Sequence, residues 1–139
     1  MTEVAAVLFV NDAFYEAFRA RDLDTMEQLW AREVPVACIH PGWRALTTRS
    51  DVMDSWRDIL ASDSVPEIAC RGAQVFLSGE TAIVICYEVV TGGVLVATNV
   101  YRKEQGAWRM MHHQAGPCDL PTQALEDEDD DFAEEGAIQ

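Results

Sequence analysis

Apolar and polar residues alternate along this chain with two different periods. From residue 3 to 20 the apolar groups Val4, Val7, Leu8, Ala13, Phe14, Ala17 and Phe18 recur close to helical spacing. Arg19, Arg21 and Asp22 close that helix. A second short helix follows, with Asp24 as its expected cap and Met26, Leu29 and Trp30 on its inner side. Pro35 to Pro41 is a short strand ended by proline, and Gly42-Trp43 makes a turn. Ser50 is the expected cap of a third helix reaching about Ala61, with Val52, Met53, Trp56, Ile59 and Leu60 facing inward. After Pro66 the period shortens to two. Ile68–Leu77, Ala82–Val90, Val94–Lys103 and Ala107–Ala115 are strand-like runs, separated by Ser78-Gly79-Glu80, Thr91-Gly92-Gly93 and Glu104-Gln105-Gly106. Links this short between such runs imply antiparallel hairpins. Three helices gathered against an antiparallel sheet define the α+β class.

The 139 residues suit one domain, and 49% hydrophobic residues are enough to build a core without staples. The net charge of −14 changes the picture only locally. Nine of the 24 acidic residues lie in 119–139, where there is no Lys or Arg, and the remainder holds fifteen acids against ten bases. The expected organisation is a domain over 1–118 and an acidic tail over 119–139, with the run 127–131 solvated and disordered. No clustered positive face exists for a nucleic-acid backbone. The N-terminus lacks a basic start and is interrupted by Glu3, Asn11, Asp12 and Glu16, so it reads as an amphipathic helix and not a signal peptide. No window is apolar for long enough to span a membrane. Cys38, Cys70, Cys86 and Cys118 form no Cys-x-x-Cys pair, which fits a reduced, cytoplasmic protein.

Several segments together resemble the nuclear-transport-factor-2-like superfamily and its SnoaL-like branch. They are Phe14-Tyr-Glu-Ala-Phe18 with Asp22, Met26 and Leu29-Trp30; Cys38-Ile-His-Pro-Gly-Trp43 with Val52 and Ser55-Trp56; and Ala97-Thr-Asn-Val-Tyr-Arg102 followed by Gly106 to Pro117. The resemblance covers about residues 5–118. It implies a cone-shaped, curved antiparallel sheet of the cystatin-like kind backed by three helices, a central pocket, and a homodimer formed through the sheet. It does not imply one reaction, because the superfamily's members include association domains of calmodulin-dependent kinases, isomerases, dehydratases and hydrolases.

The candidate chemistry is sparse. In the last strand Trp108, Met110, His112 and Gln114 should share one face, and Arg109, Met111, His113 and Ala115 the other. Similarity to association domains puts the second set, together with Asn99 and Tyr101, on the pocket side. The basic pocket residues of those domains have no counterpart at Asn99 or Ala115. Glu88, inside the apolar run Ile83 to Val90, needs a partner or a wet cavity, and burial would move its carboxyl toward a general-base range. His40 and Trp43 flank the Gly turn, where the indole could cap a pocket mouth. Trp56, at helical spacing, reads as core.

Glu88 and His113 are therefore the candidate catalytic residues. His40, Trp43, Asn99, Tyr101 and His113 are the candidate ligand contacts. His40, His112 and His113 have no zinc spacing, and no nucleotide or nucleophile motif occurs, so neither metal nor cofactor is expected. Three functions remain open. The first is a small-molecule-binding module. The second is a lyase or isomerase acting on a small apolar carbonyl substrate, with Glu88 or His113 as base and Tyr101 or Asn99 donating to the oxyanion. The third is a homodimeric interaction domain, with Ile83, Ile85, Tyr87, Val89 and Trp108 on the outer sheet face.

Overall fold

The computed structural model describes residues 1–64 and 66–126. Helix α1 runs Glu3–Ala20 behind an N-cap Thr2, whose hydroxyl accepts from Ala5 N at 3.0 Å. Arg21 leaves it in the left-handed conformation, φ 56°. Asp22, not Asp24, caps α2 (Leu23–Leu29) by accepting from Thr25 N. β1 is Ala37–Ile39. α3 is Arg49–Ala61, capped by Thr48 and not by Ser50. In both helices the oxygen nearer the chain's bend takes the cap, since only a residue still in extended conformation can turn its side chain onto the first free N–H groups.

The sheet is completed by β2 (Ala69–Ser78), β3 (Thr81–Val90), β4 (Gly93–Glu104) and β5 (Ala107–Cys118), in the order β1-β5-β4-β3-β2. It is an open, curved α+β sheet with the helices on one face. All pairings are antiparallel except β1 with β5, where Cys38 lies beside His113. Gln105 and Gly106, φ 52° and 83°, form the two-residue β4–β5 turn, whose handedness matches the strand twist.

One irregularity re-aims β5. Val100 pairs with His112 but Tyr101 with Met110, so Met111 is bulged out. The alternation expected along the whole strand therefore fails at that point. Trp108, at 4% exposure, and Met110, at 0%, face the core with His113 and Ala115. Trp108 is thus not on the outer face, and its indole N–H donates to Glu3 of α1. Beyond residue 118, where the tail was expected to begin, Gln123–Glu126 forms a short helix, α4, and Leu125 is 1% exposed. The acidic run 127–131 lies outside the described residues.

Candidate functional site

Between the helices and the concave face of the sheet is a hollow of about 390 Å³. Phe14 and Phe18 of α1, Trp56 of α3 and Leu95 of β4 make its apolar wall, and Trp43 stands at its exposed side. Its polar groups are Tyr15, His40, Glu88, Thr91 and His113. The pleat explains why β3 and β5 reach it. Val84, Cys86 and Glu88 share the buried face of β3, and the Met111 bulge leaves His113 and Ala115 inward.

Glu88 and His113 approach across this space, with His113 Nε2 4.0 Å from Glu88 Oε2. Tyr15 Oη donates to Glu88 Oε2 at 2.6 Å. Asn99 Nδ2 donates to Tyr15 Oη at 3.2 Å and to Asn11 Oδ1 at 2.9 Å, and Tyr101 Oη donates to Asn11 Oδ1 at 2.8 Å. His113 Nδ1 lies 2.6 Å from Asn99 Oδ1. Because the amide nitrogen of Asn99 is already directed at Tyr15 and Asn11, its oxygen is the end facing His113, and Nδ1 carries the proton. Nε2 is left with a lone pair. Burial lowers the His113 pKa to about 3, the neighbouring histidines adding to it, so the ring is a neutral base. Burial raises the Glu88 carboxyl above its usual range, against the opposing Tyr15 bond. Burial also holds the Tyr15 hydroxyl well above the ordinary phenol value, so it keeps its proton.

His40 is built separately. Ser55 donates to Val52 O at 2.7 Å, so toward His40 Nε2, 2.9 Å away, its oxygen accepts. This is not a nucleophile–base pair: the serine proton is spent on the backbone. Burial lowers the His40 pKa to about 4. Its ring packs edge-on against Trp43 and Trp56, centroids 4.8 Å apart in both cases.

Of the residues singled out from the sequence, Glu88, His113, His40 and Trp43 border the hollow. Asn99 and Tyr101 do not. Both are 0% exposed and lie behind His113, with their donors committed to Asn11 and Tyr15. The oxyanion-donor role considered for them does not fit, because neither turns an N–H or O–H to the hollow. Sequence reasoning missed Tyr15 and Asn11, and assigned Trp56 to the core alone. The signal was present: Val7, Asn11, Phe14 and Phe18 follow the inner stripe of α1, and an amide on such a stripe needs buried partners. Among the described residues no cluster of three metal-ligating side chains occurs.

The family model of the SnoaL-like domain matches residues 7–118. The chain belongs to the SnoaL-like family. This SnoaL-like chain is 28% identical over 112 residues to the F-box protein SKIP8 of Arabidopsis thaliana, covering 79% of this chain and 48% of that protein. The chain thus spans about half the length of that curated relative. Among solved structures it is similar to a Streptomyces avermitilis protein of the NTF2-like family described as a candidate dehydratase. That match has 32% identity and a TM-score of 0.77, covering 85% of this chain and 97% of the other. A Thiobacillus denitrificans protein, described as a candidate calcium/calmodulin-dependent protein kinase type II association domain, matches with 36% identity and TM-score 0.71, over 79% of this chain and 93% of its own. The fold is therefore NTF2-like, in a family whose members are mostly without an assigned function.

Proposed function

We propose that this SnoaL-like domain binds one small, mostly apolar molecule in the hollow, oriented by the polar groups of β3 and β5. The observation that carries this is the approach of His113 Nε2 to Glu88 Oε2, 4.0 Å apart inside an aromatic wall. A carboxylate and an imidazole kept in such surroundings are costly for folding alone, and convergent polar groups in an apolar cavity characterise ligand sites. The test uses N-phenyl-1-naphthylamine, a neutral dye that fluoresces in apolar surroundings. Wild type should bind it with one-to-one stoichiometry, and Leu95→Trp, which puts an indole into the hollow, should weaken binding markedly. Unchanged binding to a folded Leu95→Trp protein would place the dye elsewhere and end this reading.

The same pair favours a second reading, a lyase or isomerase. The neutral His113 Nε2 would remove a proton from the ligand, and Glu88 would stabilise the imidazolium that forms. The relative described as a candidate dehydratase supports this class. In D₂O the protein should exchange the activated C–H hydrogens of 2-tetralone, followed by NMR, and His113→Ala should not. Exchange at the buffer rate by wild type leaves binding alone.

A homodimer through the outer sheet face completes the proposal. Phe76 and Ile83, paired in register, are 48% and 40% exposed there, and an apolar sheet face is a usual site of two-fold association. Light scattering after size exclusion should give twice the chain mass, and a monomer would reject it. The four unpaired cysteines fit a reducing, cytoplasmic setting.

A further inference from the structure

The hydrogen bonds behind the hollow have a direction, and one group sets it. A carboxylate can only accept, so Tyr15, 2.6 Å from Glu88, gives it its single hydroxyl proton. Toward Asn99, 3.2 Å away, the Tyr15 oxygen can then only accept. The NH₂ end of Asn99 must face Tyr15, and its carbonyl oxygen must face His113, 2.6 Å away. His113 therefore holds its proton on Nδ1. Asn11 agrees with this order without dictating it: its oxygen takes Asn99 and Tyr101, and its NH₂ end lies 3.7 Å from Cys70 Sγ. The chain thus donates from His113 through Asn99 and Tyr15 to Glu88, and its two ends return to the same hollow 4.0 Å apart. Both ends are acceptors. Among the described residues, no Lys or Arg lines the hollow.

We propose that Tyr15 and Asn99 are positioning residues that transmit the charge of Glu88 to the tautomer of His113, and so make the hollow selective for uncharged ligands that present a hydroxyl. A ligand hydroxyl donates to His113 Nε2 or to Glu88, whereas an aldehyde oxygen placed between those two groups finds two acceptors and a carboxylate there meets Glu88 without a cation. This ligand class rests on the binding reading above; the tautomer does not.

The test has two arms. Histidines are labelled with ¹⁵N and the His113 ring is assigned by its loss in His113→Gln. At neutral pH, long-range ¹H–¹⁵N spectra of wild type should give a protonated Nδ1 and a bare Nε2. Tyr15→Phe removes the link that orients Asn99, and His113 should become a mixture of tautomers. A protonated Nε2 in wild type overturns the proposal even if Tyr15→Phe does not fold, and a pure Nδ1–H form in folded Tyr15→Phe overturns the transmission.

In the second arm 2-naphthol, naphthalene, 2-naphthaldehyde and 2-naphthoate are titrated against wild type. A hydrogen bond to the Glu88 carboxylate or to the bare Nε2 of His113 should make 2-naphthol on the order of tenfold tighter than the other three. Equal affinities would refute donor selection while leaving the binding reading intact. Failure of all four, together with failure of the dye, would remove the binding reading and the ligand class with it, while the spectra still decide the tautomer.

Discussion

Acid should destabilise this protein through two histidines that are buried without charge. Folded His113 has its pKa at about 3 and His40 at about 4, burial being the main cause in each. An unfolded histidine titrates near ~6.5. Between those values the unfolded chain takes up protons that the folded one does not. The stability concerned is complete above the unfolded value and is lost as pH falls toward the folded ones. At about 1.4 kcal/mol per unit, each histidine removes ~2 kcal/mol between pH 6.5 and 5, and the pair ~4 kcal/mol. With a urea m-value near ~2 kcal/mol/M, the unfolding midpoint should drop by about 2 M.

Glu88 acts with the opposite sign. Its carboxyl is raised on folding, so the folded chain takes up that proton first as pH falls. A difference measurement isolates the histidines: urea unfolding at pH 7 and pH 5 for wild type and for a His40→Gln, His113→Gln double variant. Wild type should lose about 4 kcal/mol more than the variant over this interval. Parallel losses in the two proteins would show that these rings do not stay neutral in the fold, and would withdraw the assignment of His113 as a free base.

Asp22→Ala removes the side chain that caps α2 and should cost ~1 kcal/mol, read as a lower thermal midpoint; an unchanged midpoint contradicts it. Met110→Ala empties a site of 0% exposure beneath the β5 bulge and should cost ~2–5 kcal/mol in denaturant unfolding. A cost near zero would mean that Met110 does not face the core. Cys38, 0% exposed and with its thiol pushed by burial to about 12, should resist iodoacetamide in the native state and react once unfolded, as mass spectrometry would record. Rapid native alkylation refutes this. Gly106→Ala, at φ 83°, should cost on the order of 1 kcal/mol in thermal unfolding, and a neutral result would mean the turn readjusts.

Fold class and nearly every element are legible in the local pattern of the chain. Periods of 3.6 and 2 are local consequences of burying one face of a helix or strand, and the short Gly-containing links force neighbouring strands to be antiparallel. That pattern also exposed Glu88, since a carboxylate in the apolar run Ile83 to Val90 needs an explanation that a surface strand does not. Tertiary structure alone decided what surrounds it. Tyr15 and Asn11 come from α1, more than 70 positions from Glu88 and Asn99, and no local pattern pairs residues at that separation. It also decided which way β5 faces on either side of Met111. A bulge is a contest between neighbouring strands over register, and the period of two within one strand does not record it. Similarity to association domains puts Asn99 and Tyr101 on the inner face; that their donors turn away from the hollow follows only from the buried acceptors of α1, which claim those protons first.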